Sequence, residues 1–122
     1  MRRFILHKHS GCGPTHWDLM LEDGQSLATW RIAEDPLAVP RGESIEAVRI
    51  HDHRKAYLDY RDEVSGGRGR VDPQDAGALS LASSREDVWT FELGGAVLKG
   101  RFEMRRISPG GDKWMLRVTM DQ

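Results

Sequence analysis

The sequence is poor in the features that mark secreted, membrane-spanning and strongly basic proteins. Its 122 residues include one cysteine, Cys12, so no internal disulfide can form, which suits a reducing compartment. The apolar runs are short, such as residues 114–116, whereas a membrane-spanning helix needs roughly 20 apolar residues. Lys and Arg number 18 against 19 Asp and Glu, and the formal net charge of -1 excludes the overall basic character of bulk nucleic-acid binders. We therefore expect a cytoplasmic protein, without membrane attachment, that contacts phosphates only locally.

The remaining composition is that of one globular domain. A hydrophobic fraction of 39% and a charged fraction of 30% exclude a disordered tail or a fibre. We expect a single domain over residues 1–122. Cys12 has histidines on both sides and is a candidate for a catalytic Cys–His pair, but Gly11 and Gly13 place it on a loose turn, which disfavours that role.

Apolar and polar residues alternate with a period of two between glycine-containing turns, and this pattern predicts a mostly β protein. Turn signals such as Asp23-Gly24 and Gly94-Gly95 favour antiparallel hairpins. Residues 52–60 are expected to form one or two short helical turns, with Asp52 as the cap. About eight antiparallel strands predict a small closed or nearly closed barrel. The expected strands are residues 3–9, 16–22, 26–33, 45–51, 78–81, 87–93, 96–107 and 113–120.

Two residues of the second expected strand, His16 and Asp18, are two positions apart, so both side chains leave the same face. His7 and His9 share one face of the preceding strand, and the hairpin brings an imidazole within reach of that pair. Two imidazoles and a carboxylate suit a divalent transition metal such as manganese, iron or zinc. Spacing alone leaves open the alternative that these polar residues only hydrogen-bond one another.

Two further segments carry groups that suit phosphate chemistry. His53 and Tyr57 are four positions apart, and on a helical turn they would share one side, where an imidazole can donate a proton to a leaving oxygen. The alternative is that Tyr57 packs on the barrel and His53 is exposed. Residues 65–70 combine glycines with Arg68 and Arg70, so amides and guanidinium groups can bind a phosphate there, although such loops are more often solvated turns.

The four tryptophans could serve as stacking platforms for nucleic-acid bases. Alternation places most of them opposite the polar positions of their strands, which favours packing in the core. We expect three of the four to be structural, the set being Trp17, Trp30, Trp89 and Trp114.

These motifs occur in the order in which one known family carries them. The set Lys8-His9, His16-Trp17-Asp18-Leu19 and Leu21-Glu22 resembles the Lys-His, His-Tyr-Asp and Leu-Glu signature of the 3'-phosphoesterase module of bacterial ATP-dependent DNA ligase D. Leu27 with Thr29-Trp30 resembles the family's Leu-x-Ser-Trp strand, and Asp52-His53 with Tyr57 resembles its Asp-His-Pro segment and later tyrosine. Residues 98–102, with Trp114 and Leu116, are similar to its closing hairpin. The resemblance spans the chain.

The resemblance implies a compact β-barrel enzyme that trims the 3' ends of DNA. In the family, a terminal ribonucleoside and then the exposed 3'-phosphate are removed with manganese, and zinc is the alternative metal here. Carried over by position, His9, His16 and Asp18 become metal ligands, while His53 and Tyr57 become catalytic groups at the scissile phosphate. The implied partners are nucleic-acid 3' ends, with DNA-repair ligase or polymerase proteins as further candidates. Because the chain lacks the polymerase and ligase domains of ligase D, we expect a stand-alone relative.

The sequence departs from the family pattern at three points. Met20 stands where the family has an arginine, Ala33-Glu34 replaces a Pro-Lys, and the turn between the first two strands is one residue longer. The candidates to supply the lost charge to a substrate phosphate are Arg31, Arg68 and Arg70. The same losses favour an alternative function, a non-catalytic barrel that binds a metal and a DNA end in a repair assembly.

Overall fold

The chain folds into a closed barrel of eight antiparallel β-strands. A computed structural model describes residues 2–40, 42–59, 62–63, 67 and 69–118. The strands of this part of the chain are β1 Arg2–Ser10, β2 His16–Asp23, β3 Ser26–Ile32, β4 Ser44–Arg54, β5 Asp62–Glu63, β6 Arg70–Ser84, β7 Val88–Gly94, β8 Lys99–Arg106 and β9 Lys113–Val118. The prediction of a small antiparallel barrel with short helical turns is confirmed.

The strands follow one another around the barrel in the order β1-β2-β3-β4-β9-β8-β7-β6, and β6 pairs with β1 to close it. The two-residue β5 lies outside this ring and pairs with the start of β6. Neighbouring strands are mostly joined by hairpins, as the turn signals indicated. The closing β1–β6 seam is different, because it pairs residues far apart in the sequence and contains a β-bulge between Leu6 and His7.

Two expected elements have other bounds in the structure. Residues 52–54 belong to β4, and Asp52 does not cap a helix but accepts a hydrogen bond from Ser26 Oγ at 2.9 Å. The strand expected at residues 78–81 is the 15-residue β6, which begins at Arg70. The short helices that the structure describes are the 3-10 turns Pro36–Ala38 and Lys55–Asp59. Within the described residues, no helix has the length and hydrophobicity to cross a bilayer.

The barrel interior is filled by apolar side chains from all eight strands of the ring. Trp30 is fully buried at its centre, and its ring meets those of Trp89 and Trp114 edge to face, with centroids 5.1 and 5.6 Å apart. Such aromatic contacts add to the free energy gained by burial alone. The prediction that three of the four tryptophans pack in the core is confirmed, and Trp17 is half-buried at the core's edge.

A second, smaller apolar cluster lies on the outer face of β1, β2 and β3. Alternation sends every second side chain of these strands outward, and Ile5, Met20 and Leu27 form a patch on which Leu58 of the Lys55–Asp59 turn packs. We call these four residues the outer cluster. Burial of the patch holds the turn against the barrel, next to the outward polar residues of the same strands.

One buried carboxylate fixes the turn between β7 and β8. Asp75 of β6 is 7% exposed, and its oxygens accept the backbone N–H groups of Ala96, Val97 and Leu98 at 2.7 to 3.1 Å. A carboxylate that receives several N–H groups tolerates burial because its charge is satisfied. Gly95 leaves room for this contact, since a Cβ atom there would lie 2.5 Å from Asp75 Oδ2.

Candidate metal centre and phosphate site

The site lies on the outer face of β1, β2 and β3, the face that also carries the outer cluster. The outward pairs in register between β1 and β2 are Ile5–Met20, His7–Asp18 and His9–His16, and between β2 and β3 Asp18 pairs with Arg31. Directly paired side chains leave a sheet on the same face. The apolar residues of this face are covered by the Lys55–Asp59 turn. The polar residues farther along the same strands form a cluster of ionisable groups.

His9, His16 and Asp18 each offer one ligand atom to this cluster, and the three atoms lie within 4.8 Å of one another. The rings of His9 and His16 have centroids 4.9 Å apart, and His16 Nε2 is 3.6 Å from Asp18 Oδ2. Ligands on opposite sides of an ion with bonds of roughly 2.1 Å are about 4.2 Å apart. Small side-chain adjustments would therefore bring all three onto one ion.

His16 is oriented so that a nitrogen lone pair can face the other two residues. Its Nδ1 lies 3.3 Å from the carbonyl oxygen of Pro14, and donation of the Nδ1–H to that oxygen leaves the lone pair on Nε2. Nε2 is buried, and among the residues that the structure describes none hydrogen-bonds it. A buried lone pair beside a carboxylate suits a cation, and two imidazoles with one carboxylate suit manganese, iron or zinc.

The protonation of His16 sets a pH limit on metal binding. Burial holds the pKa of His16 below the ordinary value of 6.5, and the Asp18 carboxylate opposes this shift. Above pH 6.5 the ring is neutral, and we expect its contribution to metal affinity to be constant. As the pH falls through the lowered pKa, metal binding should weaken, because a protonated ring has no lone pair for the metal. The unfolded chain takes up this proton at higher pH than the folded one, so acidification also lowers folding stability.

Calorimetric titration with Mn²⁺ over a series of pH values measures this dependence. A His16→Ala variant, compared at each pH, removes the contribution of this ring and leaves that of the other ligands. A pH dependence that is identical in the two proteins would contradict the role of His16.

His53 and Tyr57 lie on the same outer face of the barrel as the metal candidate, at the end of β4 and in the turn that follows it. Their rings meet edge to face with centroids 5.1 Å apart, and Tyr57 packs against the outer cluster. His53 Nδ1 lies 3.2 Å from the carbonyl oxygen of His51. Burial lowers the pKa of His53, and the charge of Asp18 opposes the shift, so the ring is within electrostatic reach of Asp18. The sequence-predicted pair is thus brought together, although His53 leaves a strand and not a helical turn.

The three arginines expected to bind phosphate have different surroundings. Arg31 lies next to the trio, with Nε 3.2 Å from Asp18 Oδ1 and its side chain 44% exposed. Arg70 is an exposed residue at the start of β6, with Nε 3.0 Å from Asp72 Oδ1. Arg68 lies outside the described residues. Arg31 is therefore the arginine that the structure brings into the cluster, and the role of Arg70 stays a prediction.

Met20, which stands where the resemblance implies an arginine, has a structural role. Its side chain is 1% exposed and belongs to the outer cluster. A guanidinium there would have to lie among apolar side chains or displace the Lys55–Asp59 turn. The turn contains Tyr57, so Met20 helps to hold this site residue in place instead of binding phosphate.

Sequence reasoning missed His51. Its ring stacks on that of His53, with centroids 5.0 Å apart and planes at 6°. The signal was present, because residues two apart on a strand share a face. Reading residues 52–60 as helical separated the two histidines.

A family model described as DNA Ligase D 3'-phosphoesterase domain matches residues 6–106 of the chain. The matched range contains the metal candidate trio, Arg31, His53 and Tyr57. No curated protein matches the sequence.

Proposed function

Because the chain belongs to the DNA ligase D 3'-phosphoesterase domain family, we propose that it removes 3'-phosphates or 3'-ribonucleosides from nucleic-acid ends, with a divalent metal. Family membership makes it a hydrolase domain of the 3'-phosphoesterase type. The observation that supports the finer proposal is the grouping of His9, His16 and Asp18 within 4.8 Å on one face, beside His53 and Arg31. The proposed setting of this reaction is DNA end repair.

The trio would hold the metal, with Mn²⁺ as the first candidate, through His9, His16 Nε2 and an oxygen of Asp18. When bound, a divalent metal polarises a phosphoryl oxygen and makes water a stronger nucleophile. Asp18 has a second role, because its other oxygen lies 3.2 Å from Arg31 Nε and orients that guanidinium. The carboxylate thus ties the metal ligands to a positive group on the next strand.

Arg31 is the proposed contact for the substrate phosphate. Its guanidinium has five N–H donors, and the Asp18 contact leaves donors on the exposed part of the side chain. The position is on the strand next to the one that carries the family's arginine. It would restore, from the neighbouring strand, the charge that Met20 lacks.

His53 and Tyr57 would act on the leaving side of the phosphate. The lowered pKa of His53 keeps the free ring neutral near neutral pH, with the lone pair on Nε2 when Nδ1–H is donated to His51. An adjacent anionic phosphate favours the protonated ring, which can then donate a proton to the leaving sugar oxygen. The ring of Tyr57 is held in place by its packing against the outer cluster. Its hydroxyl would orient the same leaving oxygen.

We expect an Arg31→Ala variant to lower kcat by roughly 10²- to 10³-fold, as does removal of one preorganised donor from a transition state. Metal affinity should not weaken, because the variant frees an oxygen of Asp18 that Arg31 now occupies. Arg31→Lys keeps the charge without the planar donor set and should lie between the two. Steady-state kinetics and a Mn²⁺ titration measure the two effects. Unchanged turnover in Arg31→Ala would exclude the phosphate role.

The decisive test of function uses a primer-template with a 3'-phosphate or a single 3'-ribonucleotide. Purified protein is incubated with it and Mn²⁺, with parallel reactions in EDTA and with a 3'-hydroxyl or 5'-phosphate end. His9→Ala and His53→Ala variants are compared, and products are resolved by length and end chemistry. We expect loss of the 3' group with wild-type protein and Mn²⁺ alone.

If wild-type protein leaves every substrate intact but still binds Mn²⁺ and the DNA end, the alternative of a non-catalytic binding module is correct. The observation that favours this alternative is the burial of Met20 at the position of the family's arginine. Zn²⁺ in place of Mn²⁺ in the same reactions tests the alternative metal.

A further inference from the structure

Three rings form a continuous row beside the metal candidate. Tyr57 meets His53 edge to face at 5.1 Å, and His53 stacks in parallel on His51 at 5.0 Å. The first two residues are half-buried, whereas His51 is exposed. Among the described residues, His53 is the ring that covers His51, and it covers one face. The row therefore ends in an aromatic face that is open to solvent.

A β-bulge in β4 produces this arrangement. Thr29 pairs with Ile50 and Leu27 pairs with His53, so two residues of β4, His51 and Asp52, lie opposite one residue of β3. Strict alternation would put Ile50 and His53 on opposite faces, but the extra residue puts both on the outer face. Bulges commonly re-aim side chains next to functional sites. Here the bulge keeps His53 on the outer face, which is also the face of the trio, and the ring of His51 stacks on that of His53.

We propose that the open ring face of His51 stacks on the nucleobase of the substrate's terminal nucleotide. This inference rests on the proposed function, in which His53 contacts the phosphate attached to that nucleotide. The base lies on the same nucleotide as the scissile group, and His51 is the ring next to His53 on the solvent side. Histidine rings stack on unpaired bases irrespective of their sequence.

A positive charge beside the row suits the strand that leads to this base. Arg54 is exposed, and its guanidinium lies 6.0 Å from the centre of the Tyr57 ring. A guanidinium group beside stacking rings is usual in single-strand binding surfaces. Only the last base of a strand has a face that no neighbouring base covers, and this face is most accessible when the nucleotide is unpaired. The substrate class is therefore a 3' end, with an unpaired last nucleotide preferred over a paired one.

The test uses two single-stranded oligonucleotides with a 3'-phosphate. One ends in 2-aminopurine, whose fluorescence is quenched by stacking, and the other ends in an abasic nucleotide. Wild-type protein, His51→Ala and His51→Phe are titrated with each, in EDTA to prevent turnover and then with Mn²⁺ for KM and kcat. Phe keeps the stacking surface and removes the ionisable nitrogens.

We expect His51→Ala to bind the 2-aminopurine end roughly tenfold more weakly, the scale of one lost base–aromatic stack, and to abolish the quenching. His51→Phe should retain both, and the abasic oligonucleotide should bind all three proteins equally. An equal loss on both oligonucleotides, failure of Phe to rescue, or no quenching by wild-type protein under either condition would overturn the stack. Phosphate release that is independent of His51 would also overturn it while leaving the phosphoesterase proposal intact. Quenching that depends on His51 without phosphate release would sustain the stack and exclude phosphoesterase action on single-stranded ends.

Discussion

An Asp18→Asn variant is expected to keep the fold and to lose phosphoesterase activity by at least about a hundredfold, the upper end of the losses seen when groups that only support a metal ligand are removed. Asp18 provides the carboxylate of the trio, it lies 3.6 Å from His16 Nε2, and it also contacts Arg31. Asparagine has the same shape but no charge. The metal affinity should therefore fall, and Arg31 should lose the ion pair that orients it. Steady-state kinetics and metal titration by calorimetry measure the two losses.

The matched control is Glu92→Gln. Glu92 is also a carboxylate paired with an arginine, Arg101, at 3.5 Å, but the pair is exposed on β7 and β8. Exposed pairs contribute little to stability, so this variant should match wild type in activity and unfolding. Asp18→Asn with wild-type activity and metal affinity would rule out the trio as the metal centre.

The largest effect on stability is expected for Asp75→Asn, which should lower the free energy of unfolding by roughly 3 to 5 kcal/mol. The substituted side chain would keep one acceptor oxygen, but its amide NH₂ group would face the N–H groups of Val97 and Leu98, which Asp75 Oδ2 now accepts. These two donors would then lack an acceptor, and the N–H groups of Ala76 and Ala96, which Asp75 Oδ1 accepts, would lose a charged one. Urea unfolding, followed by tryptophan fluorescence, measures the change in midpoint and slope.

Asp72→Asn is the control for Asp75, because Asp72 lies on the same strand and its carboxylate is paired with exposed Arg70. We expect its unfolding midpoint to stay close to that of wild type. If the two variants unfold alike, the contacts of Asp75 with the β7–β8 turn do not stabilise the fold.

Much of the barrel was predictable because most strands alternate cleanly and are joined by short turns. β6 was not, for physical reasons that lie in its own sequence. Pro73 cannot donate a hydrogen bond to a ladder and ordinarily argues against a strand, yet it lies beside the bulge of the seam with β1. Asp75 puts a charge at a buried position, which breaks the apolar pattern, and only the distant turn of residues 96–98 explains why it is satisfied.

The candidate site divides in the same way between local and distant contacts. His9, His16 and Asp18 could be grouped from the sequence because they lie on one hairpin, where spacing and register determine which side chains meet. His53 and Tyr57 were paired correctly although the helical turn was expected to begin too early, since a bulge that adds one residue to β4 interrupts the alternation and hides the end of the strand. Arg31 was one of three arginines that composition could not distinguish, and its register opposite Asp18 makes the difference.

The seam between β1 and β6 has a consequence for the order of events in folding. The three trio residues lie on a hairpin of neighbouring strands, whose contacts close a short loop, whereas the seam joins Phe4 to Gly77 and so closes most of the chain. Loop closure slows as sequence separation grows. The hairpin can therefore form early and bring its three ligand residues together, whereas the pairing of β1 with β6 that closes the barrel forms late. A metal ion present during folding would then bind before the barrel has closed, and it would favour the folding pathway in which this hairpin is the nucleus.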